Sequence, residues 1–130
     1  MSSPSPRVND GALPFCTVII PMRNEEAHIT PCIESVLRQD YPADRMEVLV
    51  VDGQSDDRSR EVIGAIAARD TRVRLLDNPS RIVPTALNIG IRAARGEVIV
   101  RVDGHTTLEP DYMREGIDAL ARSGADNVGG

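Results

Sequence analysis

The chain has 130 residues, 41% hydrophobic and 27% charged, with aromatics at only 2% and no Trp; this is the profile of one globular domain with an aliphatic core. All 15 basic residues are Arg, which excludes mechanisms built on a P-loop, Schiff-base or Ser-paired lysine. The net charge of −5 argues against general affinity for a nucleic-acid backbone. No apolar run approaches the ~18 residues that cross a bilayer, and "MSSPSPRVNDGALP" lacks the regions of a signal peptide, so the chain reads as cytoplasmic.

Residues 1–14 are rich in Ser, Pro and Gly and read as a loose arm ahead of a domain over 15–130. "CTVIIP" is a short β-branched run stopped by proline, the pattern of a strand buried on both faces. Ile29, Cys32, Ile33, Val36 and Leu37 then fall at helical spacing, with Pro42 beyond them. "MEVLVVD" is a second strand, and Val62, Ile63, Ile66 and Ala67 line a second helix. "VRLLD" predicts a third strand, followed by a helix with Pro84 in its first turn and Leu87, Gly90, Ile91 and Ala94 inward. "EVIVRVD" is a fourth strand. Pro110 opens a fourth helix with Met113, Ile117 and Leu120 inward, and "NVGG" begins another strand. Strands alternating with helices predict a mostly parallel α/β sheet with flanking helices, and the alternation reads as truncated on its C-terminal side. Cys16 and Cys32 lie within apolar patterns and read as buried free thiols.

Ligands of open α/β sheets bind beyond the carboxyl ends of the strands. Two strand ends carry nearly the same phrase, "VDGQS" and "VDGHT", and strands placed close together would bring Asp52 and Asp103 to one crevice. Ser55, Asp56 and Asp57 can cap the second helix, whereas Asp52 comes too early to cap and suits a base or ribose donor. Asp103 and His105 can offer an oxygen and an imidazole to one divalent cation, with a diphosphate completing the coordination; the bland alternative for His105 is a loop-packing histidine. His28 reads as an exposed helix residue. "PMRNEE" contains no glycine, so a G-x-G-x-x-G loop is absent there. Within it Asn24 can cap the first helix, and Arg23 is either solvated or in contact with a nucleobase or phosphate. Arg81, in the turn after the third strand, carries the same alternatives.

These motifs, "VIIPMRNEE", "VVDGQSDD" and "ALNIGIRAARGEVIVRVDGHT", resemble the nucleotide-diphospho-sugar glycosyltransferases of family 2 with the Rossmann-like GT-A fold. The nearest phrasing, "RIVPTALNIGI" and "GADNVGG", is similar to exopolysaccharide enzymes of the succinoglycan-biosynthesis type. The resemblance runs from Phe15 to Gly130. It implies inverting sugar transfer in polysaccharide biosynthesis, from a nucleotide-sugar donor of the UDP type to a saccharide or lipid-linked acceptor, at the inner face of the membrane in a longer form. Pro21, Arg23 and Glu25 would border the nucleobase pocket and Asp52 would bind the base. Asp103 would take the first position of the D-x-D motif and His105 the last, holding Mn²⁺ or Mg²⁺; the departure is His for the second Asp. The family's catalytic base lies after the position matching Gly130, so no catalytic residue is assigned and no transfer is expected from this chain alone. An unpaired sheet edge would favour a homo-oligomer. The alternative is a non-catalytic nucleotide-binding or interaction module; a nucleotidyltransferase is disfavoured because it needs a glycine-rich loop.

Overall fold

A computed structural model describes residues 13–123 and 127–128. Five strands, β1 (Cys16–Met22), β2 (Met46–Asp52), β3 (Val73–Asp77), β4 (Val98–Arg101) and β5 (Asn127–Val128), alternate with four helices, α1 (Ile29–Leu37), α2 (Ser59–Arg69), α3 (Val83–Ala93) and α4 (Tyr112–Ser123). The strands form one parallel sheet in the order β3-β2-β1-β4-β5. Every residue of β1 and β2 is buried, which is why both read as continuous apolar runs instead of alternating ones.

The two faces of the sheet are covered unequally. On one, Val18, Ile20, Val48, Val50 and Val100 pack with Ile33 and Val36 of α1, Ile63 and Ile66 of α2, and Met113 and Ile117 of α4. On the other, Ile19 and Val51 pack with Ala86 of α3. Gly90 sets the depth of that contact, because a Cβ there would stand 2.7 Å from Cγ2 of Ile19. The expected inward Leu87 packs on that cluster with Ala86 and Ile89, Gly90 faces Ile19, and the expected inward Ile91 is instead 53% exposed. Ala94 lies just past the helix end.

Other boundaries move for similar reasons. β1 does not stop at Pro21 but runs to Met22. The Ile19 carbonyl accepts from Val102 N on the β4 side and the Met22 carbonyl from Gly53 N on the β2 side, so Pro21 turns its nitrogen toward β4, where strand pairing has ended, and stays in register with Val51 of β2. β4 is shorter than "EVIVRVD": the Glu97 N–H turns to the Phe15 carbonyl (2.8 Å) before pairing begins at Val98, and Asp103 belongs to the following loop. Of the arm expected over 1–14, residues 1–12 lie outside the described residues. Leu13 is fully buried, its carbonyl accepts from Arg45 Nη1 at 2.6 Å, and the Pro14 carbonyl accepts from the Tyr41 hydroxyl. The expected last strand is present as Asn127–Val128, paired parallel to β4, while Gly129 and Gly130 lie outside the described residues.

At the amino-terminal edge of the sheet, a buried carboxylate secures the far end of α3. Glu47 accepts from the Thr17 hydroxyl (2.7 Å), the Arg95 backbone N–H (2.7 Å) and Arg95 Nε (3.2 Å). Burial alone would raise its pKa, but these donors together hold it below the ordinary carboxylate value. Gly96 follows and gives its N–H to the Thr17 hydroxyl at 2.9 Å; a Cβ on it would meet the Thr17 nitrogen at 2.6 Å, so only glycine fits. Both cysteines are free and buried, as expected. Among the described residues no helix is long and apolar enough to cross a membrane.

Candidate functional site

β1 to β3 extend the sheet in one direction and β4 to β5 in the other, so the connection reverses between β1 and β4. Ligands of open α/β sheets bind at such a switch point, beyond the carboxyl ends of the strands. A cavity of about 200 Å³ lies there. Pro21 and Met22 supply the end of β1, Arg23 and Glu25 the loop after it, Asn78 and Arg81 the loop after β3, and Asp103 and His105 the loop after β4; Ile82, Val83 and Ala86 close it from the start of α3. Six residues expected from sequence, Pro21, Arg23, Glu25, Arg81, Asp103 and His105, thus line one cavity. Its volume is below the roughly 300–1,000 Å³ of sites that enclose a whole drug-sized ligand, and it suits one ring of a larger molecule.

Asp52 is placed differently. It is fully buried and does not line the cavity. Its carboxylate accepts from the Ser55 N–H (3.1 Å), the Ser55 hydroxyl and Arg60 Nη1 (2.8 Å), and Arg60 also reaches Asp77 at 3.1 Å. Asp52 therefore shapes the loop after β2 from beneath. Three donors already engage that carboxylate.

Ser55, Asp56 and Asp57 reach across from that loop to the loop after β1, and Asp57 also takes the Ser59 N–H at the start of α2. The Ser55 hydroxyl accepts from Asn24 N (2.8 Å), Asn24 Oδ1 accepts from Asp56 N (2.7 Å), and the Ser59 hydroxyl accepts from Glu25 N (3.0 Å). Asp57 accepts from Glu26 N (3.1 Å), and Arg58 N donates back to Glu26 (3.2 Å). Arg23 adds Nε to the Gly53 carbonyl and Nη2 to Asp56, both at 2.9 Å. The capping roles expected of Asn24, Ser55 and Asp56 are corrected accordingly: the N-cap residues of α1 and α2 are His28 and Arg58, and neither makes a side-chain cap bond. Asp57 accepts from Ser59 N at 2.9 Å, and hydrogen bonding from Ser59 holds its carboxyl below the usual range.

Each of the three loops after β1, β2 and β3 carries a non-glycine residue in the left-handed region: Asn24 (φ 55°), Gln54 (φ 59°) and Arg81 (φ 68°). Asn tolerates this conformation, while Gln and Arg adopt it only where their surroundings over-determine it. Arg81 Nε donates to Gln54 Oε1 at 3.2 Å, which ties two of these residues together. The strain thus gathers beside the cavity. Asn78, which the sequence analysis passed over, orders the turn: its backbone N–H donates to the Asp52 carbonyl (2.8 Å) and its Nδ2 to the Ile82 carbonyl (3.0 Å). The visible signal for it was the turn phrase "DNPS".

On the opposite wall, the Asp103 carbonyl accepts from Thr106 N (3.0 Å) and from the Cys32 thiol (3.4 Å). Burial pushes the Cys32 thiol up to about 12, so it acts as a neutral donor. The Asp103 carboxylate faces Arg101 Nη2 at 3.4 Å, a second residue that sequence reasoning missed; Nε of that arginine is buried and has no hydrogen-bond partner among the described residues. His105 is exposed, with Nδ1 3.4 Å from Glu25 Oε2, and His28, at the start of α1, has Nδ1 3.5 Å from Glu25 Oε1. Among the described residues no three His, Cys, Asp or Glu side chains are grouped so as to hold a metal ion. Asp103 and His105 still form a pair of oxygen and nitrogen donors on one loop, chemically suited to a cation whose other ligands come from a bound molecule.

Residues 17–130 match the family model described as Glycosyl transferase family 2. The chain belongs to that family. It is 34% identical over 119 residues to Glycosyltransferase AglE of Haloferax volcanii, a match covering 91% of this chain and 39% of AglE. It is 35% identical over 113 residues to the succinoglycan biosynthesis protein ExoA of Rhizobium meliloti, covering 85% of this chain and 34% of ExoA. Among solved structures, a mannosyltransferase of Pyrobaculum calidifontis in complex with GDP-Man and Mn²⁺ superposes with a TM-score of 0.79 at 30% identity, covering 92% of this chain and 36% of that one. This family 2 chain has the GT-A architecture, and it spans little more than a third of the length of the relatives it matches.

Proposed function

We propose that this chain binds the nucleotide-diphospho-sugar donor of an inverting glycosyltransferase of polysaccharide biosynthesis. The observation that carries the proposal is the convergence of Arg23, Glu25, Arg81, Asp103 and His105 on one cavity at the switch point of a family 2 domain. The cavity takes the base between the β1 and β3 loops, where Pro21, Ala86 and Val83 offer apolar walls and Arg23 and Arg81 offer donors. Asp103 and His105 hold a divalent cation, Mn²⁺ or Mg²⁺, together with the donor diphosphate. The complex of the Pyrobaculum mannosyltransferase with GDP-Man and Mn²⁺ supports this pairing of nucleotide and metal. When bound, the cation supplies neutralisation of the charge that develops on the departing nucleoside diphosphate.

The protein's own part is positioning. The loops after β1 and β2 are held to each other by the bonds of Asn24, Ser55 and Ser59, and the loop after β4 by Cys32, so the walls keep their spacing before a ligand arrives. The two carboxylates that line the cavity, Glu25 and Asp103, face histidines and Arg101 respectively, and neither is assigned as catalytic base. We assign donor binding to these residues and sugar transfer, to a saccharide or lipid-linked acceptor, to the whole enzyme. The test is calorimetric titration of UDP and of GDP into the folded chain, with Mn²⁺ and again with excess chelator. Binding that needs the metal and is lost in His105→Ala supports the proposal; a folded chain that binds neither nucleotide in either condition overturns it.

A further inference from the structure

We propose that Glu25 is a positioning residue for His105: its carboxylate takes the hydrogen bond of the Nδ1 proton and leaves the Nε2 lone pair as the donor atom available to a cation. The inference rests on the donor-site function proposed above. A carboxylate at neutral pH can only accept, so Glu25 Oε2, 3.4 Å from Nδ1, selects the tautomer with its proton on that nitrogen. A ring protonated on Nε2 would instead turn one lone pair toward an anion. Metal-binding histidines generally give their second nitrogen to such an acceptor, which fixes the tautomer and the ring orientation.

Two further features show that the contact is built and not incidental. Glu25 and His105 are 80 residues apart, and Gly104 is what lets their loops meet: a Cβ there would stand 2.9 Å from Met22 Cβ and 3.4 Å from Glu25 Cγ. Glu25 is also anchored along its backbone. Its N–H donates to Ser59, and its carbonyl accepts from His28 N at 2.9 Å and Ile29 N at 2.8 Å, where α1 begins. Its other oxygen, Oε1, faces Nδ1 of His28 at 3.5 Å, so each histidine has an oxygen of its own. Glu25 borders both the cavity and the neighbouring depression that His28 lines. The family resemblance gave Glu25 a place at the nucleobase pocket; its side chain makes its contacts on the histidine side.

The test reads the His105 tautomer directly, by ¹H–¹⁵N correlation NMR of the metal-free protein in alkaline buffer. The wild type is expected to carry the proton on Nδ1. Glu25→Ala is expected to revert to the Nε2-protonated form that an unconstrained histidine prefers, and Glu25→Gln, which keeps an oxygen acceptor, to retain the wild-type form. His28→Ala serves as the control and leaves the His105 tautomer in place. In parallel, Mn²⁺ binding in the presence of UDP or GDP, followed by electron paramagnetic resonance, is expected to weaken about 10- to 100-fold in Glu25→Ala and much less in Glu25→Gln. A His105 tautomer that Glu25→Ala does not change, in a protein that still binds Mn²⁺ with the nucleotide, overturns the role of Glu25 and leaves the donor site standing. A wild type that binds no Mn²⁺ with either nucleotide overturns the donor site, and the role of Glu25 with it.

Discussion

Replacing Asp52 separates a loop-building carboxylate from a ligand-binding one. In Asp52→Ala the Ser55 N–H loses its acceptor beneath the loop, and the Ser55 hydroxyl and Arg60 lose a partner each. Hydrogen bonds to charged groups contribute about 1.5–3 kcal/mol each. Those three do not add: Arg60 is 43% exposed and keeps Asp77, so its share is small, and the hydroxyl can turn to water. What remains is the charged acceptor of one inward backbone N–H plus part of the hydroxyl bond, about 2–3 kcal/mol. At roughly 4 °C per kcal/mol for a domain of this size, the melting temperature falls by about 8–12 °C. Nucleotide binding weakens along with it, because Ser55 is the residue that receives the Asn24 N–H from the loop lining the cavity. Differential scanning calorimetry and the UDP titration measure the two effects on one sample. An Asp52→Ala protein that melts within about 2 °C of the wild type yet has lost nucleotide binding refutes the structural role and makes Asp52 a direct ligand contact.

Three further outcomes are expected. Glu47 has a folded-state pKa below its ordinary value of 4.5, so the stability it contributes is present above that value and is lost as pH falls through the lower, folded one. Glu47→Gln is expected to destabilise at neutral pH by about 1–2 kcal/mol and to flatten the acid limb of a melting curve recorded between pH ~5 and ~2.5; an unchanged acid limb removes Glu47 from that role. Gly64 lies inside α2, and a Cβ there meets nothing within 4 Å, so Gly64→Ala is expected to stabilise by about 0.5–1 kcal/mol in urea denaturation, and a loss of stability contradicts it. Gly90→Ala has the same helix propensity in its favour but drives a Cβ against buried Ile19, so a net loss of about 1–2 kcal/mol is expected. Pairing it with Ile19→Ala tests the cause: the double mutant should lose less than the two single losses combined, and simple additivity would refute the clash.

The alternation of elements and the strand ends where chemistry gathers are written in the order of the amino acids. Strands buried on both faces must be apolar throughout, and helices on a sheet must repeat at helical spacing, so "CTVIIP", "MEVLVVD" and the stripe of Ile29, Ile33 and Val36 were readable without coordinates. Much of the polar lining of the cavity was readable for the same reason: once strand ends are known, the polar residues that follow them are the ones a switch-point ligand can meet, which places Arg23, Glu25, Arg81, Asp103 and His105, though not Asn78. Which polar residue meets which was decided by the tertiary structure. Asn24 and Ser55 fit the local pattern of helix caps, yet each bonds a loop more than 30 residues away, because parallel pairing of β1 with β2 sets their following loops side by side. Asp52 and Asp103 stand in nearly the same phrase, but one is buried beneath a loop with Arg60 on it and the other lines the cavity. Glu47 sits in an apolar run where a charge has no local explanation, and its partners are Thr17 on β1, 30 residues before it, and Arg95 just past α3, 48 residues on. Local pattern reports the period and polarity of an element. The partners of a polar group depend on which distant loops the sheet order brings together, and that order is a property of the whole fold.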